Sequence, residues 1–394
     1  MPDISTIATI LKDLVAFDTT SRESNLDFIG YVEDYLRQYG IKSVLVEDNE
    51  NRKANLYATI SESDTGGVML SGHTDVVPVD GQAWLSDPFA LKQEQDRLYG
   101  RGTADMKGFI ACVLAWVPTM VDAELSKPIN IALSYDEEVG CLGVRKLIDF
   151  MAEMPTLPSF GIIGEPTNMK IINAHKGKRA MSVKIDGFSA HSAYPNEGVN
   201  AIEIATQLIS FLRSQQLEIQ ENGPFDDGYT VPHSTIHVGT IRGGTALNIV
   251  PDRCSFNFEI RHLPTDDIEQ IVARFDKYAR IELEPKMKAV QPSCRISIEP
   301  LSDYPGLYTA LDSPVIDFVQ SLVKEEDHPH QISFGSEAGL FNRRVGIPCV
   351  VCGPGSISEA HRPNEYVSLK QLEKCNAMLR RLVDCLSWGK LPLQ

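Results

Sequence analysis

The chain has 394 residues, with 37 basic and 53 acidic side chains and a formal net charge of −16. This length exceeds what one typical hydrophobic core occupies, so the sequence predicts two domains. Nucleic acids and anionic membranes bind positive protein faces, and the acidic balance therefore argues against both as partners.

The first residues (MPDI) do not begin a basic segment followed by an apolar one, and no apolar run is long enough to span a bilayer. We therefore expect a cytoplasmic protein. The eight cysteines lie mostly in apolar runs, as reduced core residues do. Cys349 and Cys352 have C-x-x-C spacing, but they lie in a buried-strand pattern with no second pair, which favours a structural role.

The first part of the chain alternates helical and strand patterns. Apolar residues at helical spacing predict helices over 5–15, 24–39 and 109–117, the last of them ended by Pro118. Short apolar runs bounded by turn residues predict strands over 55–60, 68–71, 129–135 and 160–163. This alternation is typical of an α/β domain with a mostly parallel sheet.

The pattern changes from residue 178 onward and predicts an inserted α+β unit. Its elements are a strand over 179–185, a helix over 199–213, strands over 234–241 and 254–261, a helix over 265–280 and a strand over 295–298. The earlier pattern then returns with a helix over 312–324, a strand over 348–352 and a helix over 368–386. We therefore predict one domain of residues 1–177 and 301–394, and an inserted β-α-β-β-α-β domain of residues 178–300.

Acidic and imidazole groups follow the strands of the predicted parallel sheet or lie in turns near them. These residues are His73, Asp75, Asp105, Glu137, Glu138, Glu165 and His361. The carboxyl ends of parallel strands meet at one edge, where α/β sheets place their ligands. Two imidazoles and several carboxylates without a thiolate suit Zn²⁺, Co²⁺ or Mn²⁺, and two ions if a carboxylate bridges them. Taken singly, the His-x-Asp pair also fits an ordinary polar strand end, and the Glu-Glu pair fits a solvated acidic turn.

Several strings in the chain resemble the motifs of one known family. They are, in order, SGHTDVVP, YGRGTADMKG, DEEVG, GEPT, HKG, FSAHSAYP and CGPGSISEAHRPNEY. Their order and separations, over nearly the whole chain, resemble the M20 family of co-catalytic zinc hydrolases. The resemblance implies a metal-binding catalytic domain and an inserted domain that acts as a lid and forms a homodimer.

The resemblance also implies a ligand set for two Zn²⁺ ions, with Co²⁺ as a substitute. His73 and Glu165 hold one ion, Glu138 and His361 hold the other, and Asp105 bridges the two. Such a pair holds a hydroxide at neutral pH and clamps the oxygens of a tetrahedral intermediate.

Catalytic roles follow from the same resemblance. Asp75 orients His73, and Glu137 is the general base that moves the proton from water to the leaving amine. His191, in the inserted domain, reaches the active site of a neighbouring subunit and stabilises the oxyanion. Ala190 stands where the family usually has glycine, and a hydrogen-bonded surface turn is the alternative interpretation of this stretch.

Four residues are predicted to bind substrate. Asn248 and Arg261 suit the α-carboxylate of an N-acyl amino acid, although an interdomain salt bridge is an equally good interpretation of Arg261. Ser336 and Glu337 lie in FGSEA, which resembles the substrate loop of the family. The resemblance implies an N-acetylated ornithine as substrate, and we hypothesise that Glu337 pairs with the cationic side chain of this substrate.

The implied reaction is hydrolysis of N²-acetyl-L-ornithine to L-ornithine and acetate, a step of arginine biosynthesis. Succinyl-diaminopimelate desuccinylase, aminoacylase and carboxypeptidase specificities of the same family remain alternatives. A different class of interpretation is a non-catalytic relative used for binding or regulation. Such a protein would be expected to lack a ligand or the base, and this chain has a residue of the required type at each position.

Overall fold

The computed structural model describes residues 1–61, 66–324 and 328–389. These residues form two compact units. Unit 1 comprises Met1–Ala174, Leu307–Gln331 and Ser336–Gln394, and unit 2 comprises His175–Gly306 and Ile332–Gly335. Within the described ranges, no helix is long and apolar enough to cross a membrane.

The helices and strands are numbered in chain order. The helices are α1 (Ile4–Val15), α2 (Leu26–Gln38), α3 (Lys107–Asp122), α4 (Val144–Ala152), α5 (Ala201–Asn222), α6 (Ile268–Lys277), α7 (Glu284–Val290), α8 (Pro314–Val323), α9 (Ala338–Val345) and α10 (Leu369–Ser387). The strands are β1 (Ser43–Asp48), β2 (Lys53–Ile60), β3 (Val68–His73), β4 (Lys92–Glu94), β5 (Arg97–Tyr99), β6 (Ile129–Ser134), β7 (Phe160–Pro166), β8 (Ile172–His175), β9 (Gly177–Asp186), β10 (Thr235–Gly243), β11 (Arg253–His262), β12 (Arg295–Tyr304), β13 (Leu307–Tyr308), β14 (His330–Ile332), β15 (Cys349–Gly353) and β16 (Tyr366–Ser368).

The large sheet of the α/β fold has the strand order β1-β2-β6-β3-β7-β15-β8-β13, and β14 pairs with β8. Its central strands β6, β3, β7 and β15 are parallel, whereas β1, β2 and β8 pair antiparallel with their neighbours. Every residue of β3, β6 and β7 is buried, as expected for strands covered on both faces by helices. The mixed α/β fold class is therefore confirmed.

Helix α3 supplies much of the apolar core beneath this sheet. It is buried from Lys107 through Val117, so nearly its whole circumference contacts other elements. The sequence predicts that Pro118 ends this helix, and that prediction is wrong, because α3 continues through Pro118 to Asp122. A proline inside a helix removes one backbone hydrogen bond. Packing of the buried face on both sides of Pro118 offsets that loss.

Unit 2 contains an antiparallel sheet with the strand order β10-β11-β9-β12. Its elements follow the predicted strand-helix-strand-strand-helix-strand order along the chain, which is confirmed. Alternate residues of β11 face the core of the unit, where Phe256 and Phe258 are buried with Phe275 of α6. The predicted helix over 265–280 is interrupted in the structure: α6 leads into a π-helical segment (Tyr278–Leu283) and then into α7.

Candidate metal centre

The predicted metal ligands all lie in unit 1, at the carboxyl ends of the central parallel strands or in loops beside them. His73 is the last residue of β3, and Glu165 lies near the end of β7. Glu138 follows β6, Asp105 precedes α3, and His361 lies in the loop after β15. Since these strands run parallel, their ends meet at the same edge of the sheet.

Two groups of donor atoms form at this edge. One contains His73, Asp105 and Glu165, and the other contains Asp105, Glu138 and His361; within each group the donor atoms lie within 4.8 Å of one another. His73 Nε2 is 2.9 Å from Asp105 Oδ1, and His361 Nε2 is 3.2 Å from Asp105 Oδ2. The two carboxylate oxygens of Asp105 thus face different imidazoles, which is the geometry of a bridging ligand.

The remaining distances fit the same arrangement. Glu165 Oε1 is 3.9 Å from His73 Nε2, and Glu138 Oε1 is 3.1 Å from His361 Nε2. Zinc binds nitrogen and oxygen donors at about 2.0–2.2 Å, so two donors of one tetrahedral ion lie about 3–4 Å apart. The donor types and their separations therefore fit a pair of divalent ions.

The electrostatics of these groups also favour cations. Burial raises the pKa of Glu165 well above its usual value, and the neighbouring Asp105 raises it further. Burial likewise raises the pKa of Glu138 to about 7. Burial opposes the ionisation of Asp105, but hydrogen bonds from His361 and His73 outweigh it and lower the pKa of this carboxyl. Buried carboxylates that resist ionisation beside one another gain from a cation placed between them.

Asp75 contacts both the first imidazole and the turn after β6. Its backbone carbonyl lies 2.9 Å from His73 Nδ1, whereas its carboxylate Oδ1 is 3.6 Å from that nitrogen. The carboxylate accepts hydrogen bonds from Glu137 N at 3.1 Å, Glu138 N at 3.3 Å and Ser21 Oγ at 2.7 Å. The carboxylate therefore fastens the Glu137–Glu138 turn to the end of β3, a contact that the sequence does not predict.

Glu137 is in neither of the two donor groups that the described residues form. Its Oε1 lies 3.4 Å from Cys141 Sγ, and its backbone carbonyl accepts from the N–H groups of Gly140 and Cys141. Burial raises the pKa of the Glu137 carboxyl well above its ordinary value. This partly buried residue follows β6 directly before a metal-donor residue, and with its raised pKa its carboxyl accepts a proton more readily than an ordinary glutamate does.

Two buried ion pairs at the centre are absent from the sequence predictions. Lys53 Nζ lies 2.5 Å from Oδ1 of Asp136, and Asp136 is the residue directly before Glu137 in the chain. Arg101 Nη1 lies 2.6 Å from Glu365 Oε2. The sequence offers one usable signal for the second pair, because both partners lie inside motif strings that surround a predicted ligand.

Ser336 and Glu337 lie in unit 1, directly before α9. Both are buried, and Ser336 Oγ accepts a hydrogen bond from Ala338 N at 3.3 Å. Ser134 Oγ, at the end of β6, donates to Glu337 Oε2 at 2.8 Å, and burial raises the pKa of Glu337 to about 7. Glu337 Oε1 is buried and has no hydrogen-bond partner among the described residues.

The other predicted site residues, His191, Asn248 and Arg261, lie in unit 2. His191 is exposed, and its Nδ1 accepts a hydrogen bond from Ala193 N at 3.0 Å. The carbonyl of Asn248 accepts from Ser192 N at 3.1 Å, so the structure brings these two stretches together. Arg261 donates to Tyr304 Oη at 2.8 Å and to Glu259 Oε1 at 3.3 Å, both within unit 2.

Two sets of oxygen and nitrogen donors that share a carboxylate, at the ligand-binding edge of an α/β sheet, are typical of metal-dependent hydrolases, and this is the class of the protein. The model of Peptidase family M20/M25/M40 matches residues 69–384, and the chain belongs to this family. The predicted resemblance is confirmed.

The chain is similar to curated relatives over almost its full length. It is 34% identical over 378 residues to the acetylornithine deacetylase of Proteus mirabilis, covering 94% of this chain and 93% of that one. Among solved structures it is similar to the M20 family metallo-carboxypeptidase Sso-CP2 of Sulfolobus solfataricus, with a TM-score of 0.76, 18% identity and coverage of 97% and 99%. It is also similar to the Bacillus subtilis YXEP protein, a dinuclear metal binding peptidase, with a TM-score of 0.66, 16% identity and coverage of 97% and 98%. The two structural matches show the fold.

Proposed function

We propose that the protein hydrolyses N²-acetyl-L-ornithine to L-ornithine and acetate. The observation that carries the chemistry is the shared Asp105, whose two oxygens face His73 and His361 in two adjacent donor groups. The proposed substrate comes from the Proteus mirabilis relative, which matches 94% of the chain and is named for deacetylation of acetylornithine. The product would supply ornithine for arginine biosynthesis.

The residues present suit a resident pair of Zn²⁺ ions, with Co²⁺ as a substitute. His73 and Glu165 would hold one ion, Glu138 and His361 the other, and Asp105 would bridge them. When bound, such a pair polarises an amide carbonyl and lowers the pKa of a water molecule. The proposal draws support from the dinuclear Bacillus subtilis relative of the same fold.

Glu137 is the proposed general base. The oxygen of a water molecule attacks the acetyl carbonyl carbon, and Glu137 takes the proton that this water loses. The bond between that carbon and the α-nitrogen then breaks as Glu137 returns the proton to the nitrogen, which gives acetic acid and a free amine. The remaining proton of the water passes from the acid to the amine, so that the products leave as acetate and an ammonium ion. The position of Glu137 directly before a metal-donor residue and its raised pKa support this role, because a carboxyl with a raised pKa holds the proton more readily between the two steps.

Unit 2 is the proposed lid and dimerisation domain, with His191 acting in the active site of the other subunit. Since His191 Nδ1 accepts a backbone hydrogen bond, the ring proton resides on Nε2, which is then the donor for the oxyanion. A mixture of His191→Ala subunits with Glu137→Ala subunits is expected to recover part of the activity that each lacks. A mixture as inactive as its components would contradict action between subunits.

Substrate selection is proposed to depend on four of the predicted residues. Asn248 and Arg261 are proposed to bind the α-carboxylate, since a guanidinium pairs with a planar carboxylate through two donors. Glu337, with Ser336 beside it, is proposed to receive the side-chain ammonium of ornithine, and its unpartnered Oε1 supports this role. Glu337→Gln is expected to weaken the preference for acetylornithine over neutral acetyl-amino acids; an unchanged preference would refute the assignment.

A panel of N-acyl amino acids tests the proposed function directly. The protein, loaded with zinc or cobalt, is assayed with acetylornithine, succinyl-diaminopimelate and acetylmethionine, with Glu137→Ala as the inactive control. The proposal predicts the highest kcat/KM for acetylornithine. Comparable turnover of acetylmethionine would indicate an aminoacylase, and a preference for the succinyl substrate would indicate a desuccinylase. Turnover of none of these would favour a binding or regulatory role.

A further inference from the structure

A buried ion pair joins the two loops that carry Asp105 and His361. Arg101 lies four residues before Asp105, and Glu365 lies four residues after His361. Both charged side chains are 1% exposed, and Arg101 Nη1 is 2.6 Å from Glu365 Oε2. Neither residue belongs to a donor group, and neither has a role in the proposed reaction.

Glu365 holds the backbone of the bridging ligand. Its Oε1 accepts hydrogen bonds from Ala104 N at 2.9 Å and from Asp105 N at 3.1 Å. The two oxygens are thus divided between the guanidinium and the turn that presents Asp105. The position of Asp105 relative to the His361 loop therefore depends on where Glu365 is held.

Arg101 extends the same network to His361. Its Nη2 donates to Gln82 Oε1 at 2.7 Å, and Gln82 Nε2 donates to the backbone carbonyl of His361 at 3.2 Å. The guanidinium also lies 5.1 Å from the ring centroid of Trp84. His361 has a φ of 62°, in a region that residues other than glycine seldom adopt, so this backbone requires support from its surroundings.

We propose that the Arg101–Glu365 pair is a positioning device for the second metal ion, acting on both Asp105 and His361. A buried ion pair contributes little net stability compared with apolar packing, which favours a positional role for this one. The first donor group depends on it less. His73 is held by the Asp75 carbonyl, and Glu165 lies on β7; neither contacts the pair.

The inference rests on the proposed metal centre and is tested by metal binding rather than by turnover. Zinc is titrated into the metal-free chain with a competing chelator, and the two dissociation constants are fitted. Glu365→Gln keeps the size of the side chain and one acceptor oxygen, but it removes the negative charge that pairs with Arg101. We expect the Kd of the second ion to rise about 10- to 100-fold. The Kd of the first ion should rise clearly less, because Asp105 is the only one of its ligands that Glu365 supports, and the contacts that hold His73 and Glu165 are untouched.

Two further variants separate positioning from general destabilisation. Arg101→Met combined with Glu365→Gln removes both charges, so no unpaired charge stays buried, and it should show the same selective loss of the second ion. Glu284→Gln in unit 2 is the matched control. Glu284 is also buried, and it accepts from Arg280 Nη1 at 2.8 Å and from Ile296 N at 2.8 Å. This control should bind both ions as the wild type does.

The outcomes are distinct. Wild-type affinity for both ions in a folded Glu365→Gln chain would overturn the inference, and so would equal weakening of both ions in the double variant. A wild-type chain that binds two ions without hydrolysing acetylornithine would refute the proposed function and leave the inference standing. A wild-type chain that binds fewer than two ions would refute the metal centre itself and the inference with it.

Discussion

Replacing Asp75 by asparagine tests what holds the proposed base in place. The Asp75 side chain is buried, and its carboxylate accepts hydrogen bonds from Glu137 N, Glu138 N and Ser21 Oγ. Asparagine has the same shape but only one oxygen. If that oxygen takes the Oδ2 position, it keeps the bonds from Ser21 and Glu138, and the amide NH₂ then faces the N–H of Glu137. Two donors facing each other leave the Glu137 backbone without its acceptor.

The size of the effect follows from the lost contact. A hydrogen bond to a charged acceptor contributes about 1.5–3 kcal/mol, and the two surviving bonds become weaker because the acceptor is now neutral. We expect Asp75→Asn to remove about 2–3 kcal/mol of the free energy that holds the Glu137 turn. If the transition state is destabilised by the same free energy, kcat falls about 30- to 150-fold, while KM stays near the wild-type value.

Metal binding distinguishes this role from the one that the sequence predicts, in which Asp75 orients His73. The His73 Nδ1 contact at 2.9 Å is made by the Asp75 backbone carbonyl, which the substitution retains. The affinity for the first ion should therefore be preserved while kcat falls. Ser21→Ala removes one donor and leaves both backbone contacts, so it should lower kcat much less. An unchanged kcat in Asp75→Asn, or a loss of kcat that follows a loss of the first ion, would refute the reasoning.

Three further predictions concern metal, charge and pH. Removal of metal by a chelator should abolish hydrolysis and lower the midpoint temperature of unfolding, and added zinc should restore both. A ligand that binds only the folded state stabilises it, by about 2.7 kcal/mol when the free ligand is at 100 times its Kd. Lys53→Met leaves Asp136 buried without its cation, and urea unfolding should show a loss of about 3–5 kcal/mol; a change below 1 kcal/mol would refute the importance of that pair. Burial lowers the pKa of His175 to about 4, so the stability this residue contributes is present above its unfolded pKa of 6.5 and is lost as pH falls through 4. The stability of the wild type relative to His175→Gln should thus fall by about 3 kcal/mol between pH 7 and pH 4, as measured by denaturant unfolding; a difference independent of pH would contradict it.

The strand-end donors are predictable from local patterns. Three apolar runs have a polar or charged residue at or just beyond their end: Val68–His73, Ile129–Ser134 and Phe160–Pro166. A strand that is buried on both faces has such a continuous apolar run, so the pattern predicts strands of a parallel sheet. Once the strands are parallel, their carboxyl ends must lie side by side. The proximity of His73, Glu165 and the residues after β6 follows without any knowledge of distances.

The contacts that support those donors are not predictable in the same way. Arg101 and Glu365 are 264 positions apart, and Lys53 and Asp136 are 83 apart, so no period in the sequence links them. The pairs form only when the whole sheet has assembled. The Pro118 prediction fails for a related reason, because a local rule for helix ends omits the burial that α3 gains from the rest of unit 1.

The supports of the centre explain how a cluster of buried charges persists in unit 1. Three carboxylates and two imidazoles converge there, and burial raises the pKa of Glu165 and Glu138, so bringing these groups together opposes folding. Burial of the apolar strands and of helix α3, which does not depend on the donors, offsets this unfavourable free energy. Asp75 and the Arg101–Glu365 pair then fix the donor loops through contacts to backbone N–H groups. Because these supports bind no metal in the proposed centre, the donor geometry can exist before the ions bind. An ion that enters gains the full attraction of the carboxylates without first having to order their loops.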